Sequence, residues 1–518
     1  MHTKPLRMGT RGSLLAIAQS RLIAAALEKK HPGLDIRLAP IETRGDRDRQ
    51  TPLSQIQDTD FFSAELDVAL LNHDVDFCVH SVKDLGPDRP DGIFRAAIPV
   101  RENPRDIIVF RADVIERLRQ NAAIRIGSSS ARRQFNVETF LRDALPRFAT
   151  GSQQDSSPLK FSPLRGSVDD RLRRLHLDPD RADALDGVVL AIAGLNRLWR
   201  DADGRRAIAP LLGNVRFIVL PLSACPAAPG QGALVLECRR DDERTRSFLT
   251  ALHHPGTATL VQRELELLAS LPASQRAGVG VTAIEPQGLG PLIYVRGRGR
   301  ESGTVIWNRP PHPRNARAWD GQVLIGAGST AAARHRALLN LRLHDVGAVF
   351  VAHWRALTES VSLGPDARIW VSGIASWKQL AERGYWVEGC ADNLGFADIV
   401  PTLEAGILHL PKLSGWTALT HRGAESSWAD SGIGTVLTTY ELEPSIDAGR
   451  VENYRNEVRS ATHFFWGSIG QYQSVRQWLP ADAHHACGAG KTARALKRSG
   501  LESLQLFPSR KDWREWLR

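Results

Sequence analysis

The chain has 518 residues, 42% hydrophobic and 24% charged, the proportions of an ordinary globular protein, and its length calls for roughly three to five compact units. A net charge of +10 and a pI near 9.7 point to an anionic partner, but the basic residues are mostly Arg and lie dispersed, with no zinc-finger spacing, RNP-like motif or Lys-rich arm, so nucleic acid is not expected. No run approaches the roughly 20 apolar residues of a membrane span, and Met1–Gly9 lacks the apolar stretch of a signal peptide, so no membrane is expected and the cytoplasm is the expected compartment. The five cysteines, Cys78, Cys225, Cys238, Cys390 and Cys487, form no CxxC or Cys/His cluster, which argues against a disulfide framework and a metal site.

In chain order, apolar residues at helical spacing predict a helix over Leu14–Lys29, then a strand at Ile36–Ile41, a helix over Phe62–Leu71 and a short buried strand at Phe77–Val79 that ends at His80-Ser81. A second unit is expected from Pro104, with strands at Ile107–Phe110, Ala122–Gly127 and Gly187–Leu190, before the chain returns through Val215–Leu222 to the first unit. A smaller α+β piece follows: helices over Arg244–Leu252 and Ala258–Leu268, then strands at Val279–Ile284 and Leu292–Arg296. The proline-rich Asn308–Pro313 reads as a linker. Beyond it tryptophan becomes frequent, and Gly373–Gly384 is echoed by Gly490–Gly500, each reading as a Gly turn and a helix between two strands, which suggests two α/β lobes.

Four segments combine glycine, hydroxyl and arginine where strands lead into helices. In Gly9-Thr10-Arg11-Gly12-Ser13, Arg11 and Ser13 with the helix amides offer a carboxylate cradle, and Ser13 serves equally as a simple N-cap. In His80-Ser81-Val82-Lys83-Asp84, Ser81, Lys83 and Asp84 stand at a strand end where α/β sheets bind ligands, and an acid beside a cation can position or protonate a nitrogen or simply form a surface ion pair. The third segment, Gly127–Gln134, places Ser128, Ser129, Ser130, Arg132 and Arg133 at one helix start, and two adjacent guanidiniums repel unless anions lie between them. The fourth, Leu164–Leu172, contributes Arg165 and Arg171 around Gly166. Together they predict a small ligand with several carboxylates, held in a domain cleft.

These segments, with Ile41–Asp46, Ala191–Leu198 and Pro226–Leu234 (which contains Gln231), resemble in order the porphobilinogen deaminases (hydroxymethylbilane synthases) over roughly residues 5–300. The resemblance implies an α/β fold: two periplasmic-binding-protein-like α/β domains, 1–103 with 200–238 and 104–199, plus a small α+β cofactor-loop domain, 239–308. It implies a monomeric transferase of tetrapyrrole and heme biosynthesis that condenses four porphobilinogens into a linear tetrapyrrole with release of ammonia. Asp84 would then assist deamination and stabilise the azafulvene cation, while Arg11, Ser13, Ser81, Lys83, Ser128, Ser129, Arg132, Arg133, Arg165, Arg171 and Gln231 would line the site for acetate and propionate groups.

Two departures stand out. The family carries a dipyrromethane cofactor on a cysteine through a thioether; here that position falls at Ala273 to Gln275, with no cysteine between Cys238 and Cys390, so covalent attachment is not expected. Two lysines of a cover loop are replaced by Thr59 and Ala64. A primer held non-covalently, substitution by Cys225, or an altered reaction would each accommodate the missing thiol; a non-catalytic binder of pyrroles or polycarboxylates is the alternative function. The tail, 320–518, resembles uroporphyrinogen-III synthase through Trp416–Gly423, Thr438–Pro444, Phe464–Ser468 and Gly488–Ala493, which implies a two-lobed α/β domain, possible ring closure to uroporphyrinogen III, and Tyr440, Ser468 and Thr492 at its cleft.

Overall fold

Alternation of apolar side chains sets the first sheet in the computed structural model, which describes residues 4–47, 61, 63–86, 88–148, 158–321, 333–338, 340–444 and 448–518. Strand β1 (Leu6–Arg11) buries Leu6 and Met8 and pairs in parallel with β2 (Ile36–Ile41) and β3 (Phe77–Ser81). The Leu14–Lys30 helix joins β1 to β2 and packs Ile23, Ala24 and Leu27 into the same core as Phe77. Strand β4 (Ile93–Ala97) forms one edge.

The second sheet is built from β5 (Asp106–Arg111), β6 (Ile124–Gly127), β7 (Leu159–Ser162), β8 (Gly187–Ala191) and β9 (Val215–Val219), in the order β7-β6-β8-β5-β9. Ile107, Ile108, Val109 and Phe110 of β5 are all fully buried, so both faces of this strand are covered and its sequence is a continuous apolar run. Strand β10 (Leu234–Arg239) then returns to the first sheet, antiparallel between β3 and β4, completing the order β2-β1-β3-β10-β4.

One boundary differs from the sequence reading. Residues 215–219 do not rejoin the first unit: β9 pairs antiparallel with β5, Val219 opposite Ile107 and Phe217 opposite Val109, and only β10 crosses back. The apolar run Phe217–Val219 of β9 suits either sheet, and pairing with β5 decides. The two crossings between the sheets, 98–105 and 220–233, run together, with the Glu102 amide donating to the Gly232 carbonyl at 3.0 Å and Gln231 Nε2 to the Pro104 carbonyl at 2.7 Å.

A three-stranded sheet, β11 (Val279–Ile284), β12 (Leu292–Gly297) and β13 (Arg300–Trp307), follows the Glu243–Leu249 and Pro255–Ala269 helices. Glu264 of the longer helix is fully buried and ties it to its surroundings: it takes a bidentate pair from Arg101 at 2.6 and 3.0 Å and accepts the amides of Gly230 and Ala283.

The chain divides into two compact units, the second made mostly of Trp307–Arg518. That unit carries a six-stranded sheet, mainly parallel, and a four-stranded parallel sheet. The repeat read from the sequence corresponds to two strand–helix–strand units in different sheets: Ile374–Glu382 between Arg368–Val371 and Val387–Cys390, and Lys491–Arg498 between His484–Gly488 and Leu504–Phe507. Its tryptophans are core residues: Trp319, Trp370, Trp377, Trp416, Trp428, Trp466 and Trp513 are each under 2% exposed.

Candidate functional site

Strand ends of both amino-terminal sheets meet at a cavity of about 360 Å³. From the first sheet come Arg11 and Ser13 after β1, and Ser81, Lys83 and Asp84 after β3; from the second come Arg133, Arg165 and Arg171; Gln231 comes from the return crossing. Nine of the twelve residues read as the deaminase site thus share one space with Asp84 among them.

Local sequence explains the placement. Ser13 caps the Leu14–Lys30 helix by accepting the Ala16 amide at 3.3 Å, so the N-cap role and a cavity position coexist. After β3 the chain tightens into a single 3₁₀ turn, Val82–Asp84, which buries Val82 and leaves Asp84 facing the cavity. Gly230 crosses directly over this turn: its φ is +71°, and a Cβ there would stand 2.5 Å from Val82 Cγ1. The Pro-Gly-Gln-Gly motif therefore acts as a clamp on the Asp84 turn. Ser167 and Asp170 form a reciprocal capping box that opens the Val168–Arg173 helix and presents Arg171, whose Nε donates to the Gly166 carbonyl at 2.9 Å.

The cavity is crowded with positive charge. Burial, reinforced by Arg133 and Arg165, pushes Arg171 down to about 10. Arg197 also lines the space and is pushed to about 10 by burial. Desolvation likewise lowers the Lys83 amine. Arg165 Nη1, Arg133 Nε and Gln231 Oε1 are buried without a hydrogen-bond partner among the described residues. Buried guanidinium donors left unpaired are costly, and carboxylates from a ligand are the groups that satisfy them. The Asp84 carboxylate itself makes no hydrogen bond or ion pair among the described residues.

The remaining three residues sit elsewhere. Arg132 is 5% exposed, and its Nη1 donates to Asp106 Oδ2 at 2.9 Å and to the Pro226 carbonyl at 2.8 Å. Arg133 Nη2 and Gln231 Nε2 reach Asp106 Oδ1 at 2.7 and 2.9 Å. The anion demanded by two adjacent arginines is thus supplied by the protein. Burial alone would raise the Asp106 carboxyl, but the two guanidiniums hold it well below the usual carboxylate range. Ser129 Oγ donates to the Leu164 carbonyl and accepts the Leu164 amide, both at 2.8 Å, and Ser128 Oγ accepts the Ser130 amide at 3.3 Å; neither lines the cavity. Sequence reasoning missed Arg197 and Asp106, although Arg197 lies within the quoted Ala191–Leu198 segment.

No thiol stands where the family resemblance puts the cofactor attachment. Ala273 and Gln275 belong to a short helix, Ala273–Arg276, and all five thiols are buried. Cys225, the one alternative, is enclosed and directs its Sγ at the Asn136 carbonyl, 3.4 Å away. Thr59 lies outside the described residues, and Ala64 opens the Ala64–Leu71 helix. Among the described residues one group has metal-ligand geometry, Asp67, His80 and Glu237. Arg89 lies in its midst, donating to Asp67 at 2.5 Å and to Glu237 at 2.7 Å, and burial pushes the His80 imidazole down to about 4.

In the second unit a cavity of about 520 Å³ is lined by Lys491, Arg494 and Arg498 on one helix and by Ser426, Ser427 and Ser431 opposite. Lys491 lies over the Trp428 ring, and burial pushes its amine down to about 6, with Arg494 adding to the effect. The three cleft residues read from the sequence do not line this space. Tyr440 is buried at 4% exposure, Ser468 caps the Ile469–Val475 helix, and Thr492 Oγ1 donates to the Gly467 carbonyl at 3.3 Å.

Comparison with known proteins gives the following likenesses. A family model described as "Porphobilinogen deaminase, dipyromethane cofactor binding domain" matches residues 6–247. The porphobilinogen deaminase of Geobacter metallireducens is 35% identical over 268 residues, 52% of this chain and 74% of that protein. Porphobilinogen deaminase 1 of Streptomyces avermitilis is 37% identical, covering 55% of this chain and 79% of its own length, and the Deinococcus radiodurans protein is 35% identical, covering 55% and 83%. Among solved structures the methionine binding protein MetQ covers 49% of this chain and 92% of its own at 11% identity and a TM-score of 0.26, a likeness too low to bear on the fold.

Proposed function

The chain belongs to the porphobilinogen deaminase family, and on that premise we propose that it is a hydroxymethylbilane synthase, condensing four porphobilinogens head to tail into a linear tetrapyrrole with release of ammonia around Asp84. The observation that carries this reading is the company Asp84 keeps: a carboxylate facing a cavity furnished with Arg11, Lys83, Arg133, Arg165, Arg171 and Arg197, whose other lining carboxylate, Asp169, is taken up by Arg173. Each porphobilinogen brings two carboxylates, which match those cations and the orphan donor of Arg165.

Loss of ammonia from the aminomethyl group leaves a methylene carbon conjugated with a cationic pyrrole. Asp84 is the group placed to stabilise that charge and to accept pyrrole N–H donation. The free α-carbon of the next pyrrole then forms the carbon–carbon bond, and the ring proton it displaces leaves. The arginines hold the acid side chains and keep successive rings in register. The family's model describes a domain that binds a dipyrromethane cofactor; the cation-lined cavity suits its carboxylates, but the residues here offer no thioether, and no step is routed through one.

For 320–518 the proposal is a two-lobed uroporphyrinogen-III-synthase-like domain that closes the ring; the two sheets and the cationic cavity beside Lys491 support it. The test is direct. Purified full-length protein given porphobilinogen should release ammonia and, after oxidation, yield uroporphyrin; Asp84→Asn should lose about 100–1000-fold in rate. No ammonia from the unaltered protein would leave the binder as the better reading. The isomer ratio reports on the tail: excess type III product from the full chain, falling to type I in Lys491→Met, supports ring closure, and type I from both rejects it.

A further inference from the structure

The Asp84 turn is held by regular backbone pairing on one side only. Upstream, β3 pairs with β1 and β10, so His80 and Ser81 arrive in a fixed register. Downstream, the described residues between Asp84 and Ile93 belong to no helix or strand. The turn closes on itself through the Leu85 amide, which donates to the Val82 carbonyl at 3.2 Å, and the Val82 amide donates to the Ala233 carbonyl at 3.1 Å. A segment with so little sheet or helix pairing opens easily unless side chains hold it.

Two arginines that do not line the Asp84 cavity provide that hold. Arg89, five residues past Asp84, turns inward and is only 9% exposed. Its Nε and Nη2 fork onto the Glu237 carboxylate at 3.0 and 2.7 Å, and Nη2 also donates to Asp67 Oδ1 at 2.5 Å. Glu237 lies on β10 opposite Cys78 of β3, so the strand that enters the turn and the segment that leaves it share one anchor. Arg95, on β4, adds a second tie: its Nη2 donates to the Gly86 carbonyl at 3.2 Å and its Nε to Glu237 Oε1 at 3.4 Å. A planar guanidinium bonded at two points fixes direction as well as distance, which the single ammonium of a lysine does not.

From this we infer that Arg89, seconded by Arg95, is a positioning residue for Asp84: the two guanidiniums fasten the segment leaving the turn to Glu237 and Asp67, and so keep the Asp84 carboxylate directed at the cavity. The inference rests on the Asp84 reading for the reaction it serves, while the order of the turn is measured without that reaction. Position matters here because a misplacement of about 1 Å at a reacting group costs about 100-fold in rate. Asp67, Glu237 and His80 surround Arg89 and none of them lines the cavity, so the cluster acts on the chemistry through the turn alone.

Kinetics and amide hydrogen exchange on the full-length protein test it. With porphobilinogen as substrate, Arg89→Met should lower kcat about tenfold or more and leave KM within about twofold, because the cations lining the cavity are untouched. Arg89→Lys, which keeps the charge and loses the fork, should recover only part of the rate. In the absence of substrate, Arg89→Met should speed exchange in the peptide spanning 82–89 about tenfold, with the peptide spanning 106–111 of β5 unchanged. If Arg89→Met unfolds, Arg95→Gln replaces it; that side chain is 36% exposed, and its loss should give the same pattern at about threefold. Exchange that is unaltered, or raised equally in both peptides, rejects the positioning role, and so does a kcat that holds while the turn loosens. Wild-type protein that releases no ammonia sinks the Asp84 reading alone, and the exchange comparison still decides whether Arg89 orders the turn.

Discussion

Two aspartates lie among the same arginines and have opposite fates. Asp106, at the start of β5, is fully buried, and all its neighbours are spoken for: Arg132, Arg133 and Gln231 converge on its two oxygens. Asp84, at the end of the turn after β3, faces the cavity with no such partner among the described residues. A carboxylate neutralised by the protein's own cations holds two crossings and a helix together; one left facing a ring of cations is available to a ligand. Proximity to arginine does not separate the two roles, and saturation does.

The contrast breaks most easily at Asp106. Asp106→Ala leaves two adjacent buried guanidiniums without their anion, and the expected loss is about 3–5 kcal/mol of stability, read as a lowered urea midpoint. Asp84→Asn should leave that midpoint within about 0.5 kcal/mol, as for a substitution away from packed or paired groups, while ammonia release falls about 100–1000-fold. If Asp84→Asn also destabilised by several kcal/mol, the distinction between the two aspartates would be lost.

Much of this arrangement is legible in the sequence, and what is not has a common cause. The apolar run of β5, the helix after Ser13 and the two strand–helix–strand units in the tail all follow from local periodicity. So does the list of strand ends that carry arginine, since a glycine and hydroxyl run before a helix is a local signal. What local pattern does not encode is which charge meets which. Asp106 and Gln231 are 125 residues apart, and Ser129 and Leu164 are 35 apart. The adjacent arginines did announce that an anion was needed; whether ligand or protein supplied it was decided by tertiary contact. The placement of β9 in the second sheet has the same origin, because its short apolar run fits either sheet and only pairing decides.

A third cluster extends the comparison to pH. His80 precedes the Asp84 turn and is buried 3.7 Å from Glu237, beside Arg89, with Asp67 on the far side of that guanidinium and Arg95 on Glu237. Burial depresses its imidazole from 6.5 to about 4. Between those values the unfolded chain takes up a proton that the folded chain refuses, so stability rises with pH across this window and is lost as pH falls through it. The expected loss is roughly 3 kcal/mol by pH 4. His80→Gln should remove this contribution, so that the wild-type minus variant difference falls by roughly 3 kcal/mol from pH 6.5 to pH 4, measured by urea unfolding at a series of pH values; a difference that stays flat would mean that His80 takes up its proton in the fold as readily as in the unfolded chain, paired with Glu237.

The smallest effect is the sharpest test of saturation as a criterion. Ser129 stands in the densest run of hydroxyls and arginines in the chain, yet its Oγ is used twice by the Leu164 backbone, as donor and as acceptor. Ser129→Ala removes both bonds and leaves a buried amide and carbonyl to find other partners, an expected cost of about 1–2 kcal/mol. Because the hydroxyl has nothing left to offer a ligand, KM for porphobilinogen should stay within about twofold. Arg165→Gln, whose Nη1 is an orphan donor in the cavity, should do the reverse: a KM raised about tenfold or more, as expected where a charge-assisted bond to a carboxylate is lost, with stability unchanged or improved. Steady-state kinetics and urea melts on the same two proteins place the residues on opposite axes, and a Ser129→Ala variant with raised KM and unchanged stability would show that a saturated side chain can still be part of the binding machinery.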